Sequence, residues 1–414
     1  MKNKILIGAL AVAGAALLWS FDGTFLRPSL YSLPATLVAF LEHGLGFIVL
    51  SPFLIIYRKQ LKEISKKQWG AIIWVALFGG ALGTTFITKA IFSAGFHDLS
   101  TIILLQKLQP VFAIILAAIL LKERFPKRFY LYALLAVIGG YFVAFKDPTQ
   151  ILNLPQQTYL VALFALLAAF SWGSSTVFGK YSIKNISYGL LSSLRFGLTV
   201  LILLGPVLYW HTSGFTQVEA KNWQTLVIIV FTSGALAIFL YYYGLKKIPA
   251  SIATLCELAW PVSAIIFDYY FNHNLLSGSQ IAGATLLIIV VYQATALVKP
   301  HKISGTVIKG LGQGEKTGMH TANLLLTHAK KLVKGLYTCQ VKFENQTYEG
   351  LLYYGYNSLT KKDCLEVHLI GFSGDLYNKN ITVITDKYLR LPKKFNNVEL
   401  LKKRIQKDVE IAKD

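Results

Sequence analysis

The apolar and polar positions of this chain fall into two regimes that meet near Lys299-Pro300. A helix needs ~20 apolar residues to cross ~30 Å of hydrocarbon. Runs of that kind occupy 5–25, 34–57, 68–90, 100–121, 129–145, 158–179, 187–210, 223–245, 251–271 and 278–298, which predicts ten transmembrane helices. Beyond Pro300 the runs shorten and take on strand character at 336–343, 348–354, 364–372 and 380–389, separated by polar turns. The last segment places Val398, Leu401, Ile405 and Val409 on one helical face, with Asn396 as cap and Glu399 three residues later. The expected architecture is an all-α polytopic membrane domain over 1–299, then a small β-barrel or sandwich with a C-terminal helix over 300–414.

The membrane part repeats. Ser100 to Ile115, STIILLQKLQPVFAII, aligns without gaps with Ser251 to Ile266, SIATLCELAWPVSAII. LLWSFDGTF (17–25) pairs with FSWGSSTVF (170–178), and LEHGL (41–45) with LRFGL (194–198). The repeats run over about 1–146 and 157–298, five predicted spans each. An odd number of spans turns the second copy upside down relative to the first, giving an inverted repeat.

Charge adds an orientation. Residues 1–300 hold 22 Lys+Arg and 9 Asp+Glu, against 19 and 11 in the much shorter remainder. Loops on the N-terminal side carry fifteen cations, from Lys2 and Lys4 through Lys246 and Lys247, whereas the opposite loops carry only Arg27, Lys146 and Lys221. The positive-inside rule then puts both termini, and with them 301–414, in the cytoplasm of a cell whose inner membrane holds the chain. The net charge of +21 comes with no nucleic-acid-binding motif, so no nucleic-acid partner is expected. Cys256, Cys339 and Cys364 form no C-x-x-C pair, which argues against a zinc site or a disulfide framework. The basic, apolar N-terminus has no A-x-A-like cleavage site and is read as the first membrane helix.

Ionisable side chains within apolar spans are costly and by default face a cavity or a partner. Glu42, Arg195, Lys107 and Glu257 are the interior candidates for a transport cavity, with Trp19 and Trp172 as aromatic walls. Glu42 and Arg195 occupy matching repeat positions, which predicts that they meet across the pseudo-twofold axis. Asp22, Lys89 and Asp268 lie near span ends and are expected at the interface. Pro110 and Pro261 are expected to break helices and expose backbone groups to the cavity.

These features carry two resemblances. Residues 1–298, with two five-helix repeats, resemble the EamA family of the drug/metabolite transporter superfamily, which implies a ten-helix transporter. The tail resembles a riboflavin kinase domain through Gly305 and Val307, the glycines Gly310, Gly312, Gly314 and Gly318, HTANL (320–324), LEVHLIGFSGDLY (365–377) and LRLPKKF (389–395). That resemblance implies ATP and Mg²⁺. Backbone N–H groups of the glycine loop would hold phosphate, Thr321 and Asn323 would hold phosphate and Mg²⁺, and Glu366 would be the general base. Arg390, Tyr377 and Phe395 would contact the flavin. Three positions depart from the family pattern: His320 replaces the signature proline before Thr321, Tyr356-Asn357-Ser358 replaces an R-P-T segment, and Asn378 replaces the glycine after Tyr377.

The fusion implies a riboflavin transporter whose cytoplasmic domain phosphorylates the vitamin to FMN. Two alternatives stay open on sequence: a catalytically inactive domain that senses flavin or nucleotide, and an exporter of another metabolite fused to an active flavokinase. A homodimer is also left open.

Overall fold

The computed structural model describes residues 2–93, 105–106, 108–144, 147, 149, 158–210, 212–272, 275, 277–309, 321–325, 332–357, 362–393 and 398–413. It divides into two compact units. One consists of 3–123 and 132–295, and the other of 296–414 with 1–2 and 124–131.

The first unit is helical. Among the described residues, seven helices are long and apolar enough to cross a membrane: Lys4–Leu30, Lys66–Ala90, Leu160–Ser182, Tyr188–Trp210, Ala220–Lys247, Ala250–Phe271 and Gly278–Leu297. Ala35–Leu50 and Gln109–Leu120 are apolar but shorter. Leu10, Ile55, Ile119 and Ile288 point outward, as a lipid solvent allows, while Ala, Gly and Ser fill the inter-helix contacts where backbones approach closely. Gly173 shows why: a Cβ there would lie 2.8 Å from the carbonyl oxygen of Gln109.

Three of these helices contain π-helical turns, Asp22–Leu26, Val75–Leu82 and Val230–Gly234. Such turns concentrate at functional sites because they shift the side-chain register and loosen the backbone ladder. Both repeat prolines lie close to helix starts. Pro110 sits in the first turn of Gln109–Leu120. Ahead of Pro261, the helix Ala250–Cys256 stops at a two-residue turn, Glu257–Leu258, before Ala259–Asn272 begins.

In the second unit, the described residues form six antiparallel strands in the order β1-β6-β3-β4-β5-β2. They are β1 Lys302–Thr306, β2 Ala322–Leu324, β3 Gly335–Phe343, β4 Gln346–Asn357, β5 Lys362–Leu369 and β6 Asn380–Arg390. The two edges nearly close on one another through a single bridge, in which the Ile308 amide donates to the Asn323 carbonyl at 2.9 Å. Strand alternation sends Ile303, Val341, Leu352, Leu365, Val367 and Val383 into one shared apolar core. The four expected strands are present, and β1 and β2 join them.

The helix Val398–Lys413 packs on β4. Its inner face includes Leu401, Ile405 and Val409, together with Asp408, which is fully buried. The expected cap Asn396 lies outside the described residues.

Candidate functional site

In the barrel, the pairing of β2 with β5 sets Asn323 directly opposite Glu366. Such cross-strand neighbours have Cβ atoms ~5 Å apart on one face of the sheet. Their flanking residues Ala322, Leu324, Leu365 and Val367 all enter the core, so Asn323 and Glu366 emerge together on the other face, both half-buried. Thr321, also half-buried, immediately precedes β2. On the next strand Tyr353 pairs with Glu366, and beyond it Leu336 pairs with both Tyr353 and Arg390. One row of the sheet therefore runs Asn323, Glu366, Tyr353, Leu336, Arg390.

The electrostatics of the row centre on Glu366. Burial pushes the neighbouring Cys364 thiol up to about 12, and the Glu366 carboxylate, which accepts its hydrogen bond, adds to the effect. The Tyr353 hydroxyl is raised as well, chiefly by burial and then by Cys364 and Glu366.

Arg390, at the other end of the row, is engaged by the C-terminal helix. Its Nε and Nη2 donate to Asp408 Oδ2 at 3.0 and 2.8 Å. Arg404 Nε lies 3.2 Å from the second Asp408 oxygen. The ion pair with Asp408 gives Arg390 a structural task that the sequence reading did not include.

Tyr377 is 48% exposed and follows Asp375, whose Oδ1 accepts from the Tyr377 amide at 2.8 Å. Asn378 has φ of +61°, the left-handed region, which Asn tolerates better than other non-glycine residues. The family's glycine at that position is thus replaced by a residue able to keep the same turn. Gly310, Gly312, Gly314, Gly318, His320 and Phe395 lie outside the described residues.

In the helical unit, Glu257 stands at the break between Ala250–Cys256 and Ala259–Asn272. Gln109 Nε2 donates to one of its oxygens at 2.6 Å, and Tyr241 Oη donates to the other at 3.0 Å. Thr176 Oγ lies 3.4 Å from the latter oxygen and 2.7 Å from Tyr241 Oη. The two repeat cores meet here, since Gln109 precedes one repeat proline and Glu257 stands just before the other. Trp19 packs against Tyr241, ring centroids 5.5 Å apart, and its Nε1 donates to the Ser233 carbonyl at 2.9 Å. Trp172 lies one turn from Thr176, against Gly83. Lys107 lies outside the described residues.

The anticipated pairing of Glu42 with Arg195 is not observed. Arg195 donates to the Gly79 carbonyl at 2.7 Å, inside a π-helical turn, and to Tyr242 Oη at 3.2 Å. Glu42 Oε2 instead accepts from Arg27 Nη2 at 3.1 Å. Arg27, read from sequence as an external loop cation, is part of the apolar span Lys4–Leu30, where its Nε and Nη2 also donate to Asp22 Oδ2 at 3.0 and 2.5 Å. Asp22 is 4% exposed, enclosed by the protein. Matching repeat positions failed to identify the pair because each residue found a nearer partner among backbone or neighbouring side chains. A guanidinium five residues from Asp22 was the signal available in the sequence.

The comparisons agree with this division. The model of the EamA-like transporter family matches residues 6–145 and again 159–295, and the model described as riboflavin kinase matches 297–414. The riboflavin transporter ImpX of Fusobacterium nucleatum is 43% identical over 72% of this chain and 100% of its own length. A bifunctional riboflavin kinase/FMN adenylyltransferase of Pseudomonas fluorescens is 33% identical over 28% of this chain, which spans 39% of that relative. A crystal structure described only as that of a protein has a TM-score of 0.56 at 18% identity over 70% of this chain and 96% of its own, a likeness of fold alone. The chain belongs to the EamA-like transporter family and continues, from residue 297, as a riboflavin kinase domain.

Proposed function

We propose that this protein carries riboflavin across the cytoplasmic membrane and that its C-terminal domain, on the cytoplasmic side, phosphorylates the vitamin to FMN. The observation that carries the enzymatic half is the register that sets Asn323 opposite Glu366. The transported substrate follows from the similarity to a riboflavin transporter over the whole length of that relative.

The donor set of the barrel fits a magnesium nucleotide. The Thr321 hydroxyl and the Asn323 amide oxygen are hard oxygen ligands of the kind Mg²⁺ prefers. When bound, MgATP supplies the phosphoryl group, and the metal offsets the charge on it. Glu366, an acceptor beside that ligand pair, takes the proton of the attacking ribityl hydroxyl as general base. Arg390 contributes indirectly, by tying β6 to the C-terminal helix through Asp408. Tyr377 offers an exposed ring to a flat substrate, and Phe395 and the glycine-rich loop complete the site by family resemblance.

In the helical unit, the substrate path passes the Glu257 cluster. Among the described residues the carboxylate is held by neutral donors, and Trp19 and Trp172 flank it on either side of the Tyr241–Thr176 pair. We take the unit to be ten helices in two inverted repeats, as the doubled family match supports. Phosphorylation adds charge to a solute that entered neutral, so it blocks return through an apolar route. Full-length protein in nanodiscs, given riboflavin and MgATP, should yield FMN, and the Glu366→Gln variant should not. Wild-type protein that yields none would refute the enzymatic assignment.

A further inference from the structure

Beyond the Glu257 cluster, the helical unit holds a second ionisable group that the riboflavin path does not use. Arg27 binds one oxygen of each of two carboxylates, Asp22 Oδ2 and Glu42 Oε2. With two acids against one base, the triad holds one carboxyl group more than it holds cations. Asp22 and Glu42 are 4% and 8% exposed, and the second Asp22 oxygen, Oδ1, is buried without a hydrogen-bond partner. An unpaired charge at this depth is strongly disfavoured unless a counter-charge joins it.

The surroundings offer further oxygen. The buried Ser233 hydroxyl approaches Asp22 and has no other hydrogen-bond partner among the described residues. It lies in the π-helical turn Val230–Gly234, and a Cβ on the adjacent Gly234 would stand 3.7 Å from Glu42 Oε1. Asp22 itself opens the π-helical turn Asp22–Leu26. Two irregular turns from distant parts of the chain thus converge on one carboxylate pair.

The helix Tyr188–Trp210, packed on the helix of Glu42, carries the buried Arg195, which donates to the Gly79 carbonyl and to Tyr242 Oη. Tyr31 follows Arg27 and senses both Arg27 and Asp22. His43, beside Glu42, is committed through Nδ1 to the Ala39 carbonyl at 2.8 Å and packs on Phe196. The helix Ala259–Asn272, which contacts the Asp22 turn, carries Asp268, and Ala220–Ile229 carries the exposed Lys221. Neither Arg195 nor Lys221 forms an ion pair with Asp22 or Glu42 among the described residues.

We infer that Asp22 and Glu42, with the Ser233 hydroxyl, form a binding site for one small monovalent cation, proton or sodium, that couples its movement to transport. The inference rests on the reading of this unit as a carrier, though not on riboflavin being its cargo. Occupancy neutralises the triad, and the two loosened turns give the site a means of passing that change to the helices around it.

The test needs no organic substrate. Full-length protein in nanodiscs is assayed for radioactive sodium binding and, by infrared difference spectroscopy across a pH titration, for a protonated carboxyl band. Wild type should show one or the other: sodium binding identifies sodium, and a titrating carboxyl band without sodium binding identifies the proton. Asp22→Asn should abolish the signal, and Glu42→Gln, checked for monodisperse elution, serves if that variant fails to fold. Ser233→Ala should weaken sodium binding while leaving the Arg27 pairing intact, which a purely structural triad would not do. Wild type showing neither signal, or a signal unchanged in both carboxylate variants, overturns the proposal. Riboflavin counterflow measured separately in vesicles reports on the cargo, so failure of that reading is distinguishable.

Discussion

Each half of this protein buries an arginine–carboxylate cluster, and the two clusters are opposites. In the barrel, one aspartate meets two arginines: Asp408, with a side chain 1% exposed, faces Arg390 at 17% and Arg404 at 37%. The surplus charge there is positive and reaches water. In the helical unit, one arginine meets two acids, and the surplus is a carboxyl group whose side chain is enclosed. A cluster whose excess charge is solvated is stable as it stands and serves to hold a helix onto a sheet. A cluster whose excess is buried invites a mobile counter-ion, which is what a carrier needs. The lone carboxylates show a parallel contrast: Glu366 stands half-buried beside a ligand-type amide, whereas Glu257 is wrapped by three neutral side-chain groups.

Several substitutions would break or sharpen this contrast. The largest effect is expected at Glu366, where Gln should cut FMN formation by roughly 10² to 10⁴-fold, the usual worth of a general base. Measured on the full-length chain, an unchanged rate would exclude the carboxylate as base. Next comes Asp408→Ala, which strands the buried end of Arg390. Loss of one partner of a buried pair costs about 3–5 kcal/mol, and the partial exposure of Arg390 puts this case at the low end. Faster proteolysis of the C-terminal domain within the intact protein would register it. An equal rate would show that solvent already carries the Arg390 charge.

Tyr241→Phe removes one donor to Glu257 and should slow riboflavin counterflow several-fold, on the order of 0.5–1.5 kcal/mol, the net worth of a typical hydrogen bond. FMN formation from riboflavin supplied to the kinase side should be unaffected, so a parallel loss of both would argue against separate sites. The smallest effect is at Asn378. Gly should be close to neutral there, whereas Val should cost ~1–2 kcal/mol because of the left-handed backbone.

A pH-dependent readout addresses the neighbour of the proposed base. Cys364, raised to about 12, stays a protonated thiol at neutral pH and should alkylate slowly, faster as pH rises. Its folded value is above the unfolded one, so its contribution to stability is present below the ordinary thiol pKa and lost as pH rises toward 12. Glu366→Gln should lower that pKa and speed alkylation near neutral pH. No change in rate would separate the two side chains.

Much of this organisation was legible in the sequence because it depends on local pattern. Strand alternation marked β3 to β6, the C-terminal helix followed from its apolar face, and Pro110 and Pro261 fell where helices begin. β1 and β2 were visible only through the family motif: β2 is three residues long and gains its stability from β5 and the bridge to Ile308. What could not be read was partner choice. Arg390 offers a guanidinium to flavin or phosphate in any local reading, and only the packing of the C-terminal helix reveals Asp408. Arg27 looked like a loop cation because charge normally ends a membrane span, yet here two carboxylates make its burial tolerable. The register that joins Asn323 to Glu366 likewise depends on a long-range pairing that periodicity cannot specify.

The most direct test of the account joins its two halves. Vesicles holding the full-length protein with the kinase domain inside are loaded with MgATP and given labelled riboflavin outside. The account predicts that label accumulates inside as FMN with the wild type, and enters only as riboflavin, without accumulation, with Glu366→Gln. Label that never enters wild-type vesicles, or that enters and remains riboflavin, would contradict it.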